Sequence, residues 1–359
     1  GLPSAGSYDV FIGYEAGAQT KGGGNVGIGR QAGRGSNGIS EYGGTSGSFN
    51  TSVGNYAGQF LLGSNNAMFG YQAGYYATGS GNTFIGMEAG RGGLNTNPYN
   101  SGINNVGIGY QALKNFRTAT HNVAIGYQTG FNISTGNGNV LVGRVNGSAL
   151  TTESNMVLIG DEAGKAINDT AANGTVAIGY KAGGAITSGA GNVAVGSEAL
   201  NDVTTANYNT AVGAYAGSKI TTDGSSTLIG FRAGEYLTES HNVFAGMDAG
   251  RYAYNVDNSV LIGYSAGEYI GQGNTDASRV VAVGFEAGKY ATGSYNTFIG
   301  YTSGRGGTTS APYSSGIYNT AVGDATLYSH TTGTRNTAVG RAAGYSISSG
   351  DRNTFLGIS

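Results

Sequence analysis

The sequence predicts an all-β chain, a repetitive parallel β-roll or β-solenoid of about 20 coils, and three observations carry that prediction. The phrase Asn-Thr-Phe-Ile-Gly at Asn82 to Gly86 returns letter for letter at Asn296 to Gly300. Written generally as Asn-[Val/Thr]-x-[Ile/Val]-Gly-x-x-Ala-Gly, it begins at 9, 25, 50, 66, 82, 105, 122, 139, 156, 175, 192, 209, 226, 242, 259, 280, 296, 319, 336 and 353, mostly 16 or 17 residues apart. Glycine supplies 69 of 359 residues, with 3 prolines and no Gly-X-Y period, which excludes collagen and marks recurrent turns. A repeat that leaves no stretch unclaimed argues for one elongated domain over 1–359 rather than two or three compact ones.

Each part of the repeat has a physical reading. The second and fourth residues are apolar or Thr, as in Val106 with Ile108 and Val123 with Ile125. Such alternation is the period-two signature of a strand, and it points the Val/Ile face, Ile125 included, into the roll. Glycine occupies the fifth position in all twenty copies, among them Gly86, Gly126, Gly196 and Gly300, where a turn or close backbone approach excludes a side chain. Ala recurs at the eighth position, as at Ala73, Ala89 and Ala112, implying a tight interior corner. The remaining residues, such as Tyr75 to Gly81, read as a second weak strand and a polar turn back. Asn opens 14 copies and can bond to its counterparts above and below, and twenty coils stacked at about 4.8 Å would make a rod of roughly 95 Å.

The third position carries Phe, Leu or Met in ten copies and Gly, Ala or Ser in ten. With the Val/Ile face inward, this file points outward and needs a cover. It therefore predicts a homotrimer whose core holds Phe84, Phe244 and Phe298.

Four stretches interrupt the repeat, at 34–49, 91–104, 268–279 and 305–318. The second and fourth are twins: both open on Arg-Gly-Gly (Arg91, Arg305), centre on Pro-Tyr (Pro98 and Tyr99, Pro312 and Tyr313) and close on Ser-Gly-Ile. The copies starting at 66, 82, 105, 122 and 139 return 214 residues later, so a five-turn segment is duplicated with its loop. Pro98, Tyr99, Pro312 and Tyr313 are the candidate binding-loop residues, because recognition usually resides on loops of a rigid scaffold.

Val123-Ala124-Ile125-Gly126 and Val193-Ala194-Val195-Gly196, each preceded by Asn and followed by a small-residue turn, resemble the head repeats of trimeric autotransporter adhesins. That resemblance implies a left-handed parallel β-roll with three chains around one axis. The longer phrase at Asn209 and Asn336, with its Thr-Gly-rich return, is similar to repeats of phage tail fibres. It implies a structural fibre, on a virion or otherwise extracellular, that binds a host cell-surface glycan or protein receptor. The alternatives are the head of a bacterial surface adhesin and a polysaccharide depolymerase.

Composition narrows the chemistry. Charged residues are 11 % of the chain and the formal net charge is -2, so no basic stripe points to nucleic acid. No apolar run reaches the roughly 20 residues of a membrane span. The start at Gly1-Leu2-Pro3-Ser4 has neither an initiator Met nor a signal peptide, as a processed piece would. There is no Cys, which removes disulfides and thiol chemistry. His121, His241 and His330 read as surface residues of return turns, and Glu15, Glu88, Glu162, Glu198 and Glu286 share the seventh position without two on adjacent coils. No catalytic, cofactor or metal residue is assigned. The 25 tyrosines, several at the sixth position, read either as a ladder that covers the wall or as a glycan platform.

Overall fold

In the computed structural model, which describes residues 8–35, 47–93, 100–272, 276–307 and 313–358, every copy of the phrase forms a three-residue strand at its second to fourth positions. The fold is an all-β solenoid; the described residues form twenty strands, from β1 (Val10–Ile12) to β20 (Thr354–Leu356), and one 3-10 turn at Thr170–Ala172. The chain divides into two compact units, 1–177 and 178–359. Within the first, β1 to β9 (Val157–Ile159) pair in parallel, each with the next; within the second, β11 (Val193–Val195) to β20 do the same. Like positions meet in register, as Phe84 meets Gly107 between β5 (Thr83–Ile85) and β6 (Val106–Ile108).

The face of the strand that fills the interior is the reverse of the sequence expectation. Phe84, Phe244 and Phe298, expected at a trimer core, are 0 % exposed inside their own chain. Ile125, expected inside, is 37 % exposed. Odd positions of the phrase point inward, so the opening Asn and the third residue share the core while the second and fourth look out. Volume is divided among the inward rows. A second inward residue, the twelfth, is Ile133 or Ile220 where the third is Ala124 or Ala211; where the third is Phe84 or Phe298 the ring lies on the ninth-position glycine, Gly90 or Gly304, and four coils carry Leu or Ile at both the third and the twelfth position. Neighbouring coils compensate too, because a Cβ on Gly107 would lie 2.9 Å from the Phe84 ring. Close packing of this kind belongs to an interior.

The return segment is a turn rather than a second strand. Its only bridges among the described residues are Ala77 with Asn100 and Ala291 with Ser314. What holds it is the twelfth-position anchor and the Asn file. Asn105 accepts from the backbone N–H of Asn122 at 3.1 Å, Asn122 from that of Asn139 at 3.0 Å, and the Nδ2 of Asn122 donates both to Asn105 Oδ1 and across the coil to the Gly136 carbonyl. The amides are fully buried and fully used, so they tie strand, turn and next coil together.

The fifth-position glycine is required twice over. Gly86 has φ +128, and a Cβ there would lie 2.5 Å from the Gly109 carbonyl oxygen of the next coil; Gly300 repeats the geometry against Gly323, as do Gly126 against Gly143 and Gly196 against Gly213.

Candidate interaction surfaces

The outward strand positions form an uncharged face. In the first unit Val10, Ile12, Ile28, Phe69, Ile85, Ile125 and Val140 stand exposed on it; in the second, Val212, Ile229, Val243, Ile262, Ile299, Val339 and Leu356 do. No Asp, Glu, Lys or Arg occurs at the second or fourth position of any copy. With strands about 4.8 Å apart and three residues about 10 Å long, nine strands present roughly 400 Å² per unit before the sixth-position rings beside them are counted. That is already the size of the largest apolar patch most monomers leave bare.

The tyrosines form ladders. At the sixth position Tyr110 stacks on Tyr127 with centroids 5.1 Å apart, and Tyr264, Phe285 and Tyr301 stack in sequence at 5.1 and 5.0 Å with interplanar angles of 10° and 9°. A second file runs through Tyr236, Tyr252, Tyr269 and Tyr290 at 5.3 to 5.4 Å. Rings stacked on one another spend their faces on their neighbours and turn edges and hydroxyls to the outside. A sugar ring packs against an aromatic face, so this geometry favours the wall-covering reading over a stacking platform.

Of the candidate loop residues, Pro98, Tyr99 and Pro312 lie outside the described residues. Tyr313 is placed, and its ring lies against Tyr290 at 6.1 Å and 4° and against Tyr269 at 5.8 Å. It extends the ladder. The bases of the twin insertions match: the 77–100 bridge recurs at 291–314, and the Thr78 N–H to Asn100 carbonyl bond recurs as Thr292 to Ser314. One way of leaving and rejoining the coil is therefore used twice.

Charge is consumed locally. Burial pushes the Glu88 carboxyl up, but hydrogen bonds from Gln111 and Lys114, with the charges of Lys114 and Arg91, outweigh it and hold the group below the usual carboxylate range. Glu286 is held low in the same way, burial opposed by Lys289 and Arg305. Glu15 pairs with Arg34 and Glu162 with Arg144 and Lys165. Burial lifts the Tyr269 phenol to about 12, helped by Glu268. A set that sequence spacing did not reveal lies on one corner of the second unit: burial and then the charges of Asp223, Asp257 and Asp276 raise Glu239. The signal was there in carboxylates near the end of four successive coils, but their offsets differ and hide the column.

His121 and His241 are exposed, each with a left-handed φ (58° and 65°) just before the repeat Asn. His330 corrects the sequence reading: it is the twelfth residue of its coil, 1 % exposed, in the row that carries Ile133, Leu150 and Ile347 elsewhere. Among the described residues no group of three or more His, Cys, Asp or Glu is disposed to hold a metal ion, and no helix is long and apolar enough to cross a membrane. Comparisons with protein-family models, curated proteins and solved structures return no match.

Proposed function

We propose that this chain is the repetitive part of a self-associating surface fibre of the phage tail-fibre kind, a homotrimer whose inserted loops touch a glycan or protein on a host cell surface. The observation that carries the reading is the outward Val/Thr and Ile/Val face. At roughly 400 Å² per unit before the sixth-position rings are counted, it is as large as the largest apolar patch that most monomers leave bare. An exposed flat face of β-branched side chains is also an aggregation hazard unless something covers it, and further copies of the chain cover it with a matching periodicity. The trimer interface so proposed is lined by Ile229, Ile262 and Ile299, not by the third-position phenylalanines.

Binding falls to the insertions, because the tyrosine ladders present edges and the strand face is taken up by assembly. Three copies would multiply each loop and convert weak contacts into avidity. Light scattering on the purified 36.1 kDa chain is the test of assembly, with three times that mass expected and a change to the monomer expected for Ile229→Asp with Ile262→Asp. Adsorption of labelled protein to a panel of bacterial cells, with and without both twin insertions, tests the contact. A stable monomer would remove the fibre reading. A trimer whose adsorption is unchanged after both insertions are shortened would remove the loops from it.

A further inference from the structure

His330 is a polar ring in an apolar row, and the duplicated segment shows what the position otherwise holds. Shifted by 214 residues, His330 falls on Phe116 and Phe298 on Phe84. The Phe84 and Phe116 centroids are 5.1 Å apart at 53°, and those of Phe298 and His330 are 5.4 Å apart at 50°. The imidazole thus occupies the site of a phenyl ring. Its Nδ1 faces the Leu327 carbonyl oxygen at 3.3 Å, and its buried Nε2 has no hydrogen-bond partner. An orphaned polar atom in a fully buried site calls for an explanation.

The backbone supplies one. The His330 carbonyl accepts from the Gly307 N–H at 2.7 Å and from the Ser314 hydroxyl at 2.8 Å, the two ends of the 305–318 insertion where it leaves and rejoins the coil. We propose that His330 is an acid-sensitive latch: protonation expels its ring from the core and, by moving its carbonyl, releases the base of the 305–318 insertion. The inference does not depend on what the loop binds.

The electrostatic surroundings agree. Burial first, against a smaller opposing effect of the Leu327 carbonyl, lowers the imidazole to about 4, and no charged side chain acts on it. The titratable groups on the coils packed against it point elsewhere. Arg305 bonds to Glu286 and lies over Tyr290 and Tyr328, Tyr345 stacks on Tyr328, Asp324 pairs with Arg341, and Asp351 is held by Thr334 at the exposed turn. None offers an imidazolium a counter-ion inside. The folded pKa lies below the unfolded one, so the closed coil binds fewer protons. Its stability falls as the pH drops from about 6.5 towards 4, by roughly a factor of ten in the opening equilibrium per pH unit. Most of that window lies above the carboxylate range.

The experiment is hydrogen exchange by NMR or mass spectrometry on the full chain between pH 7 and 4, expressed as protection factors, for the parent, His330→Phe and Phe116→His. The amides of Gly304, Gly307, Leu327 and Thr331, all bonded across these coils, report the opening. The parent should lose protection there by roughly fortyfold from pH 6.5 to 4.5. His330→Phe should keep it. Phe116→His places an imidazole at the matching ring site, where the Gly93 N–H bonds to the Asn100 side chain rather than to the carbonyl of residue 116; it tests expulsion of the ring alone and should lose protection with acid at Gly90 and Leu113 of the first unit. A parent that keeps its protection across the window overturns the latch, and so does an equal loss in His330→Phe. The Phe116→His chain guards against a trivial result, since a loss confined to 298–347 in that variant also contradicts the mechanism.

Discussion

Phe84, from the middle of a strand, lies against Phe116, from the return turn of the next coil, with ring centroids 5.1 Å apart and both side chains fully buried. The contact joins the two inward rows of the solenoid across a coil boundary. Phe84→Ala is expected to cost about 3–5 kcal/mol, because Gly90 and Gly107 beside it have no side chain with which to fill the cavity. Phe84→Ala with Phe116→Ala should cost less than the sum of the two singles. Urea unfolding followed by circular dichroism measures all three, and strict additivity would mean that the rings do not share a cavity.

The buried amide file gives a second expectation. Asn122→Ala strands the Asn139 N–H and the Gly136 carbonyl, with a cost of about 1–3 kcal/mol for each group left unpaired. Asn137→Ala, two residues earlier than Asn139 but exposed, should cost under about 1 kcal/mol. Melting curves for the two variants that coincide would contradict the role given to the ladder.

How much of this was legible beforehand depends on which residues carried the signal. Strand positions were, all twenty of them, because Val-x-Ile-Gly recurs with a constant offset and Gly86 leaves no doubt where each strand stops. The phase was not. Both faces of the strand are apolar, so Val123 and Ile125 looked no less like core than Ala124 does, and alternation alone cannot decide between them. One clue would have settled it: the Asn at the first position shares parity with the third. His330 was misread for the same reason, since the twelfth position had not been recognised as an inward row. The candidate loop residues Pro98, Tyr99 and Pro312 lie outside the described residues, and Tyr313 is where stacking, rather than exposure, sets its place.

The fifth-position glycine predicts a sharp intolerance. Gly86→Ala must place its Cβ against the Gly109 carbonyl at a φ of +128, so it should destabilise by more than about 2 kcal/mol. Gly174→Ala, which has open space around it at φ +81, should be affected only by its backbone conformation and cost about 1 kcal/mol. Equal losses on thermal unfolding would show that the stacked backbone is not what excludes a side chain at Gly86.

Acid should loosen the first unit through Glu88. Its carboxyl is depressed in the folded chain, so the stability it contributes is present above the ordinary carboxylate pKa and is lost as the pH falls through the lowered one. Lys114→Met removes one of the groups that hold it down. The variant should therefore be less stable than the parent at pH 7 and match it near pH 3. A stability difference that stays constant from pH 7 to 3 would mean that Lys114 acts by packing on Phe131 rather than through Glu88.

The orientation of the strands is the claim on which the interior, the exposed face and the proposed assembly all rest, and two adjacent residues test it. Ala124 is 0 % exposed and Ile125 is 37 % exposed. Circular dichroism of Ala124→Asp and Ile125→Asp, each refolded at low protein concentration, reads the outcome directly. Ala124→Asp should lose the β signal or melt far below the parent, because it buries an unpaired charge, while Ile125→Asp keeps the folded spectrum and alters only the mass in solution. A folded Ala124→Asp beside an unfolded Ile125→Asp would contradict the account.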